Sequence, residues 1–210
     1  MEQRNAPEFI LEAFADPNSV RDVVRGILHT IFFHRFFPAL RPQTRDVLDL
    51  PLPFVPDVEL ETMIDQRASA LARKLDAERT QPHGQRDHGH GHGVGGAGGG
   101  GGSGRGQVVV QFFDKKRRKA WFNVRGADEE ICWETWTVKV TVAEPKTESD
   151  RAKVRKAMEA TMLNTVMKIV TLVNAHKDHI PPMTNDANPF PYQINIHQKE
   201  PGWATRMGIY

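Results

Sequence analysis

Thr135-Trp136-Thr137-Val138-Lys139-Val140-Thr141-Val142 alternates between polar and apolar residues without a break. Trp136, Val138, Val140 and Val142 share one face, and Thr135, Thr137, Lys139 and Thr141 share the other. That is the period of two of a half-buried strand. Ahead of it, Gln107-Val108-Val109-Val110-Gln111-Phe112-Phe113 is β-branched and aromatic and reads as a second strand. The segment between them, Asp114 to Glu130, is polar and contains Gly126. Two strands joined in this way pair antiparallel by default. Their connection is longer than a tight turn.

Toward the C-terminus, Thr147 or Ser149 can cap a long helix that runs to about Asp178 and stops before Pro181-Pro182. Its main stripe is Val154, Met158, Thr161, Thr165, Ile169, Leu172 and His176. A second stripe, Leu163, Met167 and Val170, lies on nearly the opposite side. A helix apolar on two sides must be covered on two sides. The sheet is one cover; the other is more of this chain or a partner. Leu163, Met167 and Val170 are therefore the expected partner surface. Tyr192 to His197 alternates again as a strand, and Trp203 to Tyr210 is a last strand or a loose end.

Toward the N-terminus, Gln81 to Gly106 is rich in glycine and histidine and almost free of apolar side chains. It cannot offset the entropy of ordering itself and reads as a flexible insert. Before it, Leu60, Ile64, Ala68, Leu71 and Leu75 mark one side of a helix that fades near Thr80. Asp46 to Val55 alternates as one extended segment, and Pro51 and Pro53, which cannot donate to a ladder, favour a sheet edge. Asp16-Pro17 offers an N-cap and a first-turn proline. The helix they open carries Val20, Val23, Val24, Ile27, Leu28 and Ile31 and runs to about His34. Phe32, Phe33, Phe36 and Phe37 crowd its end, so another element must cover them. Glu8 to Ala15 is a short strand. The expected fold is α+β, with three helices on one face of a mainly antiparallel sheet. Residues 1–210 form a single domain interrupted at about 81–106.

The 210 residues are 39% hydrophobic and 26% charged, enough for a core without the insert. A net charge of +2 gives no global pull toward nucleic acid or anionic membrane, so any electrostatic contact is local. The single cysteine, Cys132, excludes an internal disulfide and a Cys-x-x-Cys zinc pattern. No signal region is visible, and no run approaches the roughly 20 apolar residues of a membrane span. The chain reads as a reduced, cytosolic protein.

His83, His88, His90 and His92 lie in a His-Gly repeat that lacks ordered cysteine or carboxylate partners, and no metal or cofactor is expected. The glycines make no phosphate loop, because a helix precedes them and a strand follows. His29, His34 and His176 lie on or beside helix faces, where a core or interface histidine with one satisfied nitrogen is the usual explanation. No serine or carboxylate constellation accompanies them, so the chain is not expected to be an enzyme. Lys115-Lys116-Arg117-Arg118-Lys119 is a compact basic run, fit for a nuclear-localisation signal, phosphates or anionic headgroups; a solvated loop that keeps a sheet edge soluble explains it equally well. Trp121 and Phe122 follow at once. Two large aromatics in a polar connection either tuck into the core or form an exposed contact pair.

Ile27-Leu28-His29-Thr30-Ile31-Phe32-Phe33-His34-Arg35 and Trp133-Glu134-Thr135-Trp136-Thr137-Val138-Lys139-Val140 resemble the autophagy-related protein 101 family. The long helix ending in Asn174-Ala175-His176 agrees. The resemblance implies a HORMA domain without catalytic activity that pairs with, and stabilises, the HORMA domain of autophagy-related protein 13. It also implies membership of the autophagy-initiation kinase complex, at the cytoplasmic site of autophagosome assembly. A protruding finger of Trp and Phe then recruits downstream autophagy factors, and Trp121 and Phe122 match it in position. The family's finger has a proline between its aromatics, whereas here they are adjacent. The expected function is thus an adaptor, with peripheral proximity to membrane. The alternative is a nucleic-acid or anionic-membrane module using the basic-aromatic loop 115–125.

Overall fold

Four strands align their apolar residues in rows across one sheet. They are β1 (Glu8–Ala15), β4 (Arg105–Lys116), β5 (Glu129–Val142) and β6 (Tyr192–His197), in the order β1-β5-β4-β6. One row reads Leu11, Val138, Val108, Ile196 and the next Phe9, Trp136, Val110, Ile194. β4 is antiparallel to both β5 and β6, as the polar connection predicts, while β1 joins β5 in parallel. The computed structural model describes residues 6–37, 41, 43–80, 104–116, 129–183 and 190–197.

Between the Phe112–Glu134 and Phe113–Cys132 pairs the register shifts, and Trp133 is the extra residue. A bulge of this kind re-aims side chains, so Trp133 and Glu134 are both buried although they are consecutive. Cys132 is half-buried at this step, with its Sγ 3.6 Å from the Glu134 carbonyl oxygen.

Three helices cover the inward face: α1 (Val20–Arg35), α2 (Val58–Thr80) and α3 (Glu148–Ala175). α1 begins one turn later than Asp16-Pro17 suggests. Asp16 Oδ1 accepts from the Ser19 N–H at 2.8 Å, so this carboxylate caps a lead-in turn over 17–19. The crowded phenylalanines find their cover, since Phe32 stacks edge-on against Phe112 and Tyr192 at 5.3 and 4.8 Å. α2 buries Leu60, Ile64, Ala68, Leu71 and Leu75, the five residues its periodicity marks. α3 opens with a reciprocal capping box between Thr147 and Asp150.

Two corrections concern strand boundaries. The extended segment 46–55 is a separate hairpin, β2 (Gln43–Val47) and β3 (Leu50–Phe54), turned by Leu48 and Asp49 at φ of 50° and 60°. Two-residue hairpin turns need positive φ, which usually calls for Asn-Gly or Asp-Gly; Leu48-Asp49 carries no such signal. Both strands of a two-stranded sheet are edges, so Pro51 and Pro53 are tolerated. The second correction is that Arg105 and Gly106, assigned to the insert by composition, already belong to β4. A Cβ on Gly106 would lie 2.9 Å from Leu71 Cδ1, so glycine permits the close approach of α2. Residues 81–103, with His83, His88, His90 and His92, lie outside the described residues, as does 203–210.

The layout is α+β, with three helices on a mainly antiparallel sheet, and it agrees with a HORMA-like arrangement. No helix among the described residues is long and apolar enough to cross a membrane.

Candidate interaction surface and buried polar sites

α3 lies along the free edge of β1. Thr165 Oγ1 donates to the Glu12 carbonyl at 2.7 Å and Lys168 Nζ to the Ile10 carbonyl at 2.9 Å, which satisfies backbone acceptors that an edge strand leaves open. On its other flank Arg155 Nη2 donates to Asp49 Oδ2 at 2.6 Å, tying the helix to the hairpin turn. The residues facing inward are Met158, Met162, Thr165, Val166, Ile169 and Val173. The stripe read from sequence is therefore rotated: Met158, Thr165 and Ile169 are buried and Val154 and Leu172 pack partly buried against the core, but His176 is exposed and Met162, Val166 and Val173 join the inward face. The two stripes are close in hydrophobicity along this helix, so periodicity alone could not fix the centre of the buried arc.

The second stripe remains open. Leu163 is 48% exposed, Met167 is 56% exposed and Val170 is half-buried. Two large apolar side chains, four residues apart on one helix face, form a contiguous patch of the kind that marks a binding surface.

The basic-aromatic connection is only partly described. Lys115 stands opposite Glu130 on β5, a cross-strand position where opposite charges attract, and Lys116 is in backbone register with Glu129. Arg117, Arg118, Lys119, Trp121 and Phe122 lie outside the described residues. Among the described residues, no group of His, Cys, Asp and Glu could hold a metal ion.

A buried ionic site escaped the sequence reading. Glu134 is fully buried on β5 and Arg35, 3% exposed, closes α1. Arg35 Nε donates to both carboxylate oxygens of Glu134, at 2.8 and 3.0 Å, and Nη2 donates to the His176 carbonyl at 3.2 Å. Trp136 Nε1 donates to the same carboxylate, and His179 Nε2 sits 2.7 Å from Oε2. One carboxylate thereby joins α1, the sheet and the segment after α3. A signal was present: Glu134 has the same strand parity as inward-facing Trp136, and Arg35 follows Ile31 at helical spacing.

His29 departs from the expected core histidine. It is 3% exposed, and neither ring nitrogen has a hydrogen-bond partner among the described residues. Burial, with Arg25 and Arg45 nearby, lowers its pKa to about 4; burial, then Arg35, also lowers that of His34. In the unfolded chain an imidazole titrates near 6.5, so from pH 6.5 down to about 4 the unfolded chain binds the extra proton. Stability is then fully present above pH 6.5 and falls as pH drops toward 4, with a His29 contribution of at most about 3 kcal/mol at roughly 1.4 kcal/mol per pH unit. Urea unfolding at pH 7 and pH 4.5 should show this loss, and His29→Phe should flatten the difference. Equal slopes in both proteins would remove His29 as its source.

Fold and surface together define a three-helix α+β domain with an open apolar helix face. The sequence profile of the family Autophagy-related protein 101 matches residues 12–187. The chain is 26% identical over 185 residues to autophagy-related protein 101 of Schizosaccharomyces pombe, covering 88% of this chain and 83% of that protein. It is 23% identical over 198 residues to the Arabidopsis thaliana protein of the same name, covering 84% and 80%. The Homo sapiens protein is 24% identical over 205 residues, covering 91% and 88%. The chain belongs to the autophagy-related protein 101 family, and its role is accordingly in autophagy.

Proposed function

We propose that this chain is a non-enzymatic adaptor that pairs through α3 with the HORMA domain of autophagy-related protein 13 and stabilises it. The observation that carries this reading is the open patch of Leu163 and Met167 on the longest helix. Completing the burial of these half-exposed side chains contributes about 1 kcal/mol each, which a partner supplies and solvent does not. The domain works within the autophagy-initiation kinase complex, in the cytoplasm at the site of autophagosome assembly.

Recruitment of downstream factors is the second task, carried by Trp121 and Phe122. The paired ends Lys116 and Glu129 support it, because residues 117–128 then join the tips of two long antiparallel strands. Connections between strands commonly carry binding residues. Replacing both aromatics by alanine is expected to leave the melting temperature and the pairing unchanged while recruitment in pull-downs from cell extract is lost. An unfolded double variant would make the pair part of the core. A nucleic-acid or anionic-membrane module built on the basic run is less favoured, since Lys115 stands opposite Glu130.

A further inference from the structure

α3 carries five basic residues, Arg151, Lys153, Arg155, Lys156 and Lys168. Three have partners. Arg151 pairs with Glu148 at 3.2 Å, Arg155 with Glu159 at 3.0 Å and Asp49 at 2.6 Å, and Lys168 with the Ile10 carbonyl. Lys153 and Lys156 are exposed, and neither has an ion pair or hydrogen bond among the described residues.

These two lie in line with the open patch. From Lys153 the steps to Lys156, Ala160, Leu163 and Met167 are three, four, three and four residues, the spacing of one helix face. All five residues are exposed. At about 1.5 Å of rise per residue the line is ~21 Å long, which fits within one interface of about 800 Å² per partner. The unpaired cations and the open apolar side chains therefore form one strip, basic toward the N-terminus and apolar toward the C-terminus.

A second copy of the chain does not complement this strip. From Ala160 to Asn174 the helix has no Asp or Glu. An antiparallel copy centred on Leu163 and Met167 thus offers the lysines no carboxylate, and a parallel copy sets lysine beside lysine. A bilayer fits no better. Interfacial helices insert a whole apolar face, whereas α3 turns that face to the core and leaves two large side chains outside.

We propose that the partner docking on α3 presents an acidic cluster beside an apolar socket, the cluster over Lys153 and Lys156 and the socket over Leu163 and Met167. This rests on pairing through α3 and gives that contact a polarity: rim charges act on encounter, and buried apolar groups act on dissociation.

Association and dissociation rates with the purified HORMA domain of autophagy-related protein 13 test it. Lys153→Glu with Lys156→Glu should slow association about tenfold at low salt and remove most of its salt dependence, with dissociation changed less than about twofold. Leu163→Ala with Met167→Ala should instead speed dissociation about tenfold at unchanged association. All four residues are exposed, so the melting temperatures should not move. Association that ignores both salt and the charge reversal, while the alanine variant still dissociates faster, overturns the acidic partner and leaves pairing through α3 standing. An alanine variant that binds like wild type overturns both. Lysine-dependent binding to phosphatidylserine vesicles, with unchanged pairing rates, assigns the lysines to lipid and overturns the proposal as well.

Discussion

Glu134→Ala is expected to destabilise the domain by about 3–5 kcal/mol, the usual cost of removing one partner from a buried ion pair. The loss has several sources. Arg35 would remain 3% exposed with its Nε no longer bonded to a carboxylate, and Trp136 Nε1 would lose its acceptor. His179 would lose its contact as well, releasing the segment after α3. Against a total stability of about 5–15 kcal/mol, this is about a fifth or more. Urea or thermal unfolding monitored by Trp fluorescence measures it directly. The double change Glu134→Leu with Arg35→Met should recover much of the loss, because no charge is then buried alone. A single variant within about 0.5 kcal/mol of wild type would mean that the network contributes little. A double variant worse than the sum of the singles would point to packing, not charge.

The second large effect falls on partner binding. Leu163→Glu combined with Met167→Glu should leave the fold intact, since both side chains are about half exposed, at 48% and 56%, and surface changes usually stay within about 0.5 kcal/mol. The proposed pairing with the HORMA domain of autophagy-related protein 13 should weaken at least about 100-fold. Two charges would enter an apolar contact without counterparts, and the few hot-spot residues of an interface contribute about 2 kcal/mol or more each. Calorimetry on the purified pair is the measurement. Ile10→Glu is the control: Ile10 is 44% exposed but sits on the outward face of β1, away from the Leu163 flank of α3. Unchanged affinity in the α3 variant, or equal loss in the Ile10 variant, would move the partner surface elsewhere.

Much of the architecture was legible residue by residue. The phase of Trp136, Val138, Val140 and Val142 was correct because a half-buried strand leaves one solution to polar-apolar alternation. The stripe of α2 was correct for the same reason at helical spacing. The hairpin of β2 and β3 was not legible, because its turn rests on Leu48 and Asp49 in a conformation that their side chains do not advertise. The bulge at Trp133 was not legible either, since an extra residue is defined only against the partner strand. Among site residues, Leu163 and Met167 were marked as surplus apolar surface, and the fold leaves them open. Arg35 and Glu134 each carry the inward phase of their own element, but nothing in the chain couples two charges 99 residues apart, so the pair was passed over.

The sequence by itself determined the four strands of the main sheet and the three helices, the buried faces of β5 and α2, and that α3 carries more apolar surface than its own sheet can hide. Those are properties of local periodicity. Only the tertiary structure decided that α3 seals the edge of β1 with Thr165 and Lys168, that Glu134 becomes the meeting point of three elements, and that His29 is buried with both nitrogens unmatched. Each of these depends on what stands across a gap between segments far apart in the chain, where a polar group's environment is set by its neighbours in space.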